Sequence, residues 1–96
     1  MTDPSLLVLS SLAGGDKHGY AIMEDVMAFA GTRLGPGTLY GAITRLVERG
    51  WIAPVGEGDG RRQPYTLTAV GRRHLSEQLD SIQQVVKAGQ RRLKQA

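Results

Sequence analysis

Ninety-six residues make one domain, and a domain of that size buries only about 60–70% of the surface of its unfolded chain, so a partner subunit is expected to cover part of the rest. The chain has no cysteine, which excludes a disulfide framework and thiolate metal sites and suits a reducing compartment; no apolar run approaches the ~20 residues of a membrane span. The net charge is +3 but uneven: residues 1–32 hold one Lys against four carboxylates, 33–62 five Arg against three, and 63–96 six Lys or Arg against two.

The opening "MTDPSLLVLSSLAGG" has neither the basic start nor the apolar length of a secretory leader, so a cytoplasmic protein is expected. Asp3-Pro4 reads as the N-cap and first position of a helix that runs to about Ala13 and stops at Gly14-Gly15. Leu6, Leu7, Val8, Leu9 and Leu12 leave it almost no polar face. Such a helix is buried on more than one side, and the second side is expected to need a partner. A second helix fits "KHGYAIMEDVMAFAG", with Ile22, Val26 and Phe29 on one face and Gly31 as terminator. A third, the segment 36–49, follows after "GTRLG", so two helices meet across a short Gly-containing turn, as in a helix-turn-helix. "WIAPV" and "PYTLT" are short β-prone runs around the polar loop 56–63, "GEGDGRRQ"; Pro54 and Pro64 limit them to a small two-stranded wing. From Thr68 onward a helix of about 27 residues, roughly 40 Å long, carries Leu75, Leu79, Ile82, Val86 and Leu93 at spacings of 4, 3, 4 and 7, a coiled-coil-like seam with Gly89 at the skipped position. The expected fold is mainly α with a small β-wing: a winged helix-turn-helix over 1–67 and a dimerisation helix over 68–96.

The third helix raises the functional question, because its opening "GPGTLYG" is poor in side chains although glycine costs roughly 1 kcal/mol relative to alanine inside a helix. At 100° per residue, Leu39, Ala42, Ile43, Leu46 and Val47 form the core face. Gly37, Thr38, Gly41, Thr44, Arg45 and Glu48 form the outer one, with Tyr40 at its flank. Gly41 leaves a gap where another surface can approach closely, and Thr38, Thr44 and Arg45 border it. Arg can pair with guanine and Thr with a base edge or a thymine methyl, while the free N–H groups of the helix start favour a phosphate. Arg61 and Arg62, at the end of the wing loop, suit backbone phosphates. Tyr20 and Tyr40 each offer a hydroxyl to phosphate, with core packing the expected role for the Tyr20 ring. Set against double-stranded DNA as the partner is the plainer reading of a solvated basic surface.

Three stretches, "HGYAI" (18–22), "GTLYGAITRLVERGWI" (37–52) and "RRQPYTLTAVGRRHL" (61–75), occur in the order and at the spacing of the PadR family of bacterial transcriptional regulators, which the chain resembles over roughly residues 6–75. The family's usual proline after G-T-L-Y is Gly41 here, leaving the helix start looser. The resemblance implies a winged helix-turn-helix repressor on a palindromic operator, dimeric through its C-terminal helix; with a single C-terminal helix no separate effector domain is expected, nor a cofactor, and a nucleoid-associated protein is expected.

The seam argues for a homodimer independently. Its five residues are worth at most roughly 8–15 kcal/mol per chain, against an association cost of about 4–15 kcal/mol. The long helix is therefore expected to pack also on the partner's first helix through Leu6 and Leu9. Trp51 has two readings: an anchor between wing and helices, or, near the gap at Gly89, a platform for a small aromatic effector at the dimer interface. An enzyme is disfavoured, since His18 and His74 are far apart in the chain and no phosphate-cradling or calcium loop is present. A winged helix that binds only proteins remains the alternative.

Overall fold

In the computed structural model, which describes residues 3–95, the chain runs α1 (Pro4–Ala13), β1 (Lys17–His18), α2 (Gly19–Ala30), α3 (Pro36–Glu48), β2 (Ile52–Pro54), a 3-10 turn (Gly60–Arg62), β3 (Pro64–Leu67) and α4 (Ala69–Gln95). Asp3 caps α1, its carboxylate accepting from the Ser5 N–H at 3.0 Å, with Pro4 at the first position. Leu7, Val8, Leu9 and Leu12 are buried, and α1 packs against α2, α3, β3 and α4. The all-round apolar character of this helix is thus satisfied inside one chain. The expectation of a partner-facing side is corrected: Leu9 is fully buried, and Leu6 is half-buried against the same core.

α2 places Ile22 and Val26 in the core, but Phe29 stays exposed. Gly31, at φ 64°, ends the helix in the left-handed conformation that glycine adopts without a β-carbon clash, and Leu34, brought back by that turn, is the buried residue at this end. α3 buries Leu39, Ala42, Ile43 and Leu46. Val47, expected in the core, lies at its edge and is exposed.

The sheet has three strands in the order β1-β3-β2 rather than two. β2 and β3 pair antiparallel with Ile52 opposite Leu67, the two wing residues that reach the core. Lys17 and His18 pair with Tyr65 and Pro64 on the other edge of β3. The same His18 caps α2, its Nδ1 accepting from the Ala21 N–H at 3.3 Å. Ser11, buried on α1, donates to Asp25 at 2.7 Å, and the Lys17 ammonium donates to the Ser11 carbonyl at 2.6 Å, so one polar link ties α1, α2 and β1.

Thr68 starts α4. Its N–H donates to the Trp51 carbonyl at 3.1 Å, its hydroxyl donates to the Gly50 carbonyl at 2.6 Å, and the same oxygen accepts from the Gly71 N–H at 3.0 Å. One helical turn on, Gly71 lies so close to the Trp51 carbonyl oxygen that a β-carbon would collide with it. Leu75 is the last residue of α4 buried in this chain; it belongs to the domain core, which removes it from the expected dimer seam. Beyond it α4 stands clear, and the described residues span 54 × 26 × 19 Å.

Candidate nucleic-acid interface

α3 is seated by its buried face, which fixes what its outer face presents. Gly35 is its N-cap and offers no side-chain acceptor, and Pro36 takes the first position. The first-turn N–H groups of such a helix have no intrahelical partner, so the positive end of α3 is open. Down the line opposite the core run Gly37, Gly41, Thr44 and Glu48, all but Gly41 exposed. A β-carbon at Gly37 would meet nothing within 4 Å, and one at Gly41 only the Arg45 guanidinium at 3.6 Å. The outer face is therefore bare because the chain leaves it bare, with no packing inside the protein that demands glycine at either position.

Arg45 folds back along α3 toward Gly41 and, with Arg49, flanks the bare line on the side facing the start of α1. Thr38, exposed, lies on the same flank in the first turn. The Thr44 hydroxyl donates to the Tyr40 carbonyl at 2.9 Å, which leaves its lone pairs and methyl group facing outward. Toward a base it is thus an acceptor or a methyl contact, a narrower role than its sequence position suggests. Arg62 is exposed at the end of the wing's 3-10 turn. The Arg61 side chain lies outside what is described.

Tyr40 is half-buried and differs from expectation. Its hydroxyl covers Gly19, where a β-carbon would come within 2.6 Å of it. Burial pushes the nearby Tyr65 phenol up from its ordinary range, and the Tyr40 phenol beside it adds to the shift. Gly19, Tyr40 and Tyr65 come from the three motif stretches, so their meeting makes the G-Y, G-T-L-Y and Y-x-L-T elements a packing lock between α2, α3 and sheet. Tyr40 belongs to that lock. Sequence reasoning missed this because each motif is local, although glycine preceding tyrosine in "HGY" was the available sign of a close approach.

Trp51 stacks on His74 of α4, with ring centroids 4.4 Å apart and planes at 23°, and the Arg49 guanidinium lies 5.2 Å from its ring centroid. The ring thus anchors α4 to the end of α3. Gly89 lies fifteen residues beyond His74, roughly 22 Å along a helix, so the expected slot between Trp51 and Gly89 does not form within one chain. No group of three or more metal-ligating side chains occurs among the described residues, and none of their helices is long and apolar enough to cross a membrane.

A helix-turn-helix with a bare, cation-flanked second helix and a small antiparallel wing is a DNA-binding winged-helix head. The chain belongs to the PadR-like transcriptional regulator family, which it matches over residues 8–77. Its fold and this match together place it among the transcriptional regulators of that family. It is similar to a PadR family transcription regulator from Clostridium difficile, with a TM-score of 0.83 and 26% identity over 96% of this chain and 99% of that one. A transcriptional regulator from Clostridium thermocellum superposes with a TM-score of 0.78 and 25% identity, covering 88% of this chain and 84% of that one. An uncharacterised 37.1 kDa protein in a transposon of Streptomyces fradiae is 44% identical over 80 residues. That match takes in 83% of this chain but only 23% of the relative, so the chain spans about a quarter of the length of the curated relative it matches.

Proposed function

We propose that the chain acts as a dimeric repressor on a palindromic operator in the bacterial cytoplasm, at the nucleoid. α3 enters the major groove, with Gly37 and Gly41 allowing close approach. Thr38, Thr44 and Arg45 read base edges, and the wing loop with Arg61 and Arg62 lies on the backbone. The observation that carries this reading is the pair of open glycines on the outward line of α3, each destabilising to the helix and neither required by packing.

The stripe of α4 that seats Leu75 on its own domain continues past it as Leu79, Ile82, Val86 and Leu93, all exposed, with Val85 beside them. An apolar stripe that loses its cover midway along one helix supports a second copy as its partner. The expected seam is thus Leu79, Ile82, Val85, Val86 and Leu93, without Leu9 or Leu75. A two-fold dimer of this kind presents its reading helices to half-sites about one helical turn, or ~34 Å, apart. A head without an activating surface regulates most simply by occluding polymerase. The bare seam is also where a small aromatic effector would enter.

Gly41→Leu separates function from stability. The variant is expected to melt no lower than the parent, since leucine gains up to about 1 kcal/mol of helix propensity and its β-carbon meets only a movable guanidinium. Its affinity for duplex DNA, measured by fluorescence anisotropy, is expected to fall by about 10- to 100-fold, the equivalent of 1–3 kcal/mol of lost base contact. Unchanged affinity would remove α3 from the groove.

A further inference from the structure

Two tyrosines lie near the start of α3, and the structure leaves one ring exposed while it encloses the other. The Tyr20 ring, expected in the core, is 59% exposed, and its hydroxyl makes no hydrogen bond among the described residues. The Tyr40 ring, expected at the outer flank, is taken up over Gly19 and beside Tyr65. Tyr20 is the second residue of α2. With Met23, Pro36, Gly37 and Tyr40 it lines a concavity between α2 and the opening of α3.

Gly37 is the first residue of the bare outward line of α3. The Tyr20 ring lines the same concavity as Gly37, within reach of a body that lies against the start of α3. That ring stands on α2, beside the line that faces base edges, which is where the first helix of a helix-turn-helix crosses the sugar–phosphate backbone. Glu24 and Arg33 both border the adjoining part of the groove, so the net charge there is close to zero, and Tyr20 adds a neutral donor. A phenol hydroxyl on a ring with only two side-chain torsions suits that task, because a phosphate oxygen accepts a short, charge-assisted hydrogen bond.

Resting on the DNA-binding reading above, we propose that Tyr20 is a backbone-positioning residue: its hydroxyl donates to a phosphate bordering the groove that α3 enters. Tyr20 then sets the register of the reading helix without reading sequence.

Tyr20→Phe tests this by anisotropy titration on a random duplex and on a duplex selected for tight binding, each at two salt concentrations, with a thermal melt alongside. Binding is expected to weaken about tenfold, the order of one hydrogen bond to a charged group, and equally on both duplexes. The salt slope is expected to stay at the parent's value, because a neutral donor releases no counterion, and the melting midpoint to stay unchanged. Parental affinity on both duplexes overturns the proposal, as does a loss confined to the selected duplex, which marks a base contact, or a lowered melting midpoint, which marks a packing role. If the parent itself shows no salt-dependent duplex binding, the DNA reading falls and takes this proposal with it. A parent that binds beside a Tyr20→Phe variant that binds equally well removes Tyr20 alone.

Discussion

Gly71→Ala is expected to destabilise the fold by about 3 kcal/mol, the upper part of the range for overpacking a filled site, and to lower the melting midpoint by roughly 12–24 °C for a domain of this size. The added methyl would collide with the Trp51 carbonyl oxygen, a backbone atom already held by the Thr68 N–H. Neither side yields easily, since Trp51 is stacked on His74 and the Thr68 hydroxyl is tied to the Gly50 carbonyl. The same substitution less than two turns from the end of the same helix has the opposite sign. Gly89→Ala meets nothing within 4 Å, and replacing glycine in an exposed helix interior gains up to about 1 kcal/mol. Circular-dichroism melts of the two variants check the pair. If both move the midpoint in one direction, the contact between α4 and the Trp51 turn is not what fixes the long helix.

Ile82→Glu is expected to dissolve the proposed dimer without disturbing the monomer fold. Ile82 is 43% exposed in the single chain, so the substitution there behaves as a surface change, within about 0.5 kcal/mol. In a two-fold assembly the same patch occurs on both subunits, so the seam would bury two like charges close together. Each uncompensated ion costs several kcal/mol to desolvate, which weakens association by at least ~100-fold. DNA affinity is expected to fall with it, because one reading head then binds where two did. Gln84→Glu adds the same charge on the other side of α4, where it is expected to change neither property. Sedimentation equilibrium measures the first effect and anisotropy the second. A dimeric Ile82→Glu protein would place the interface elsewhere.

The helical framework was legible because its cues are local. The Asp3-Pro4 start of α1, the left-handed Gly31 at the end of α2 and the 3.6-residue rhythm of Leu39, Ala42, Ile43 and Leu46 depend only on nearby residues. The wing was legible from two β-prone runs around a glycine-rich loop. What escaped depends on how far a neighbouring element extends. Periodicity turns Phe29 and Val47 inward, yet packing ends before it reaches either, while Leu75 is covered and Leu79 on the same stripe is not. Lys17 and His18 are too few to show a period, and they become a strand only because β3 offers an edge.

The candidate site divides in the same way. The bare line of α3 could be read from spacing alone, since a helix shows its outer face as soon as its inner face is known. The roles of the tyrosines could not. Whether a ring is free or enclosed was decided by Gly19 and Tyr65, residues 21 positions before and 25 positions after Tyr40 in the chain. Trp51 likewise acquired its partner His74 only through the docking of α4 against the turn that follows α3.

The central claim is that a paired set of side-chain-poor helices, held by cationic flanks, grips duplex DNA. The salt dependence of duplex binding by the unaltered protein, followed by fluorescence anisotropy, tests it most directly. Log affinity is expected to fall linearly with log salt at a slope near −0.9 per neutralised phosphate, so a dimer that neutralises about six phosphates loses on the order of 1000-fold between 50 and 200 mM salt. A flat response, or no binding at the lowest salt, would contradict the account.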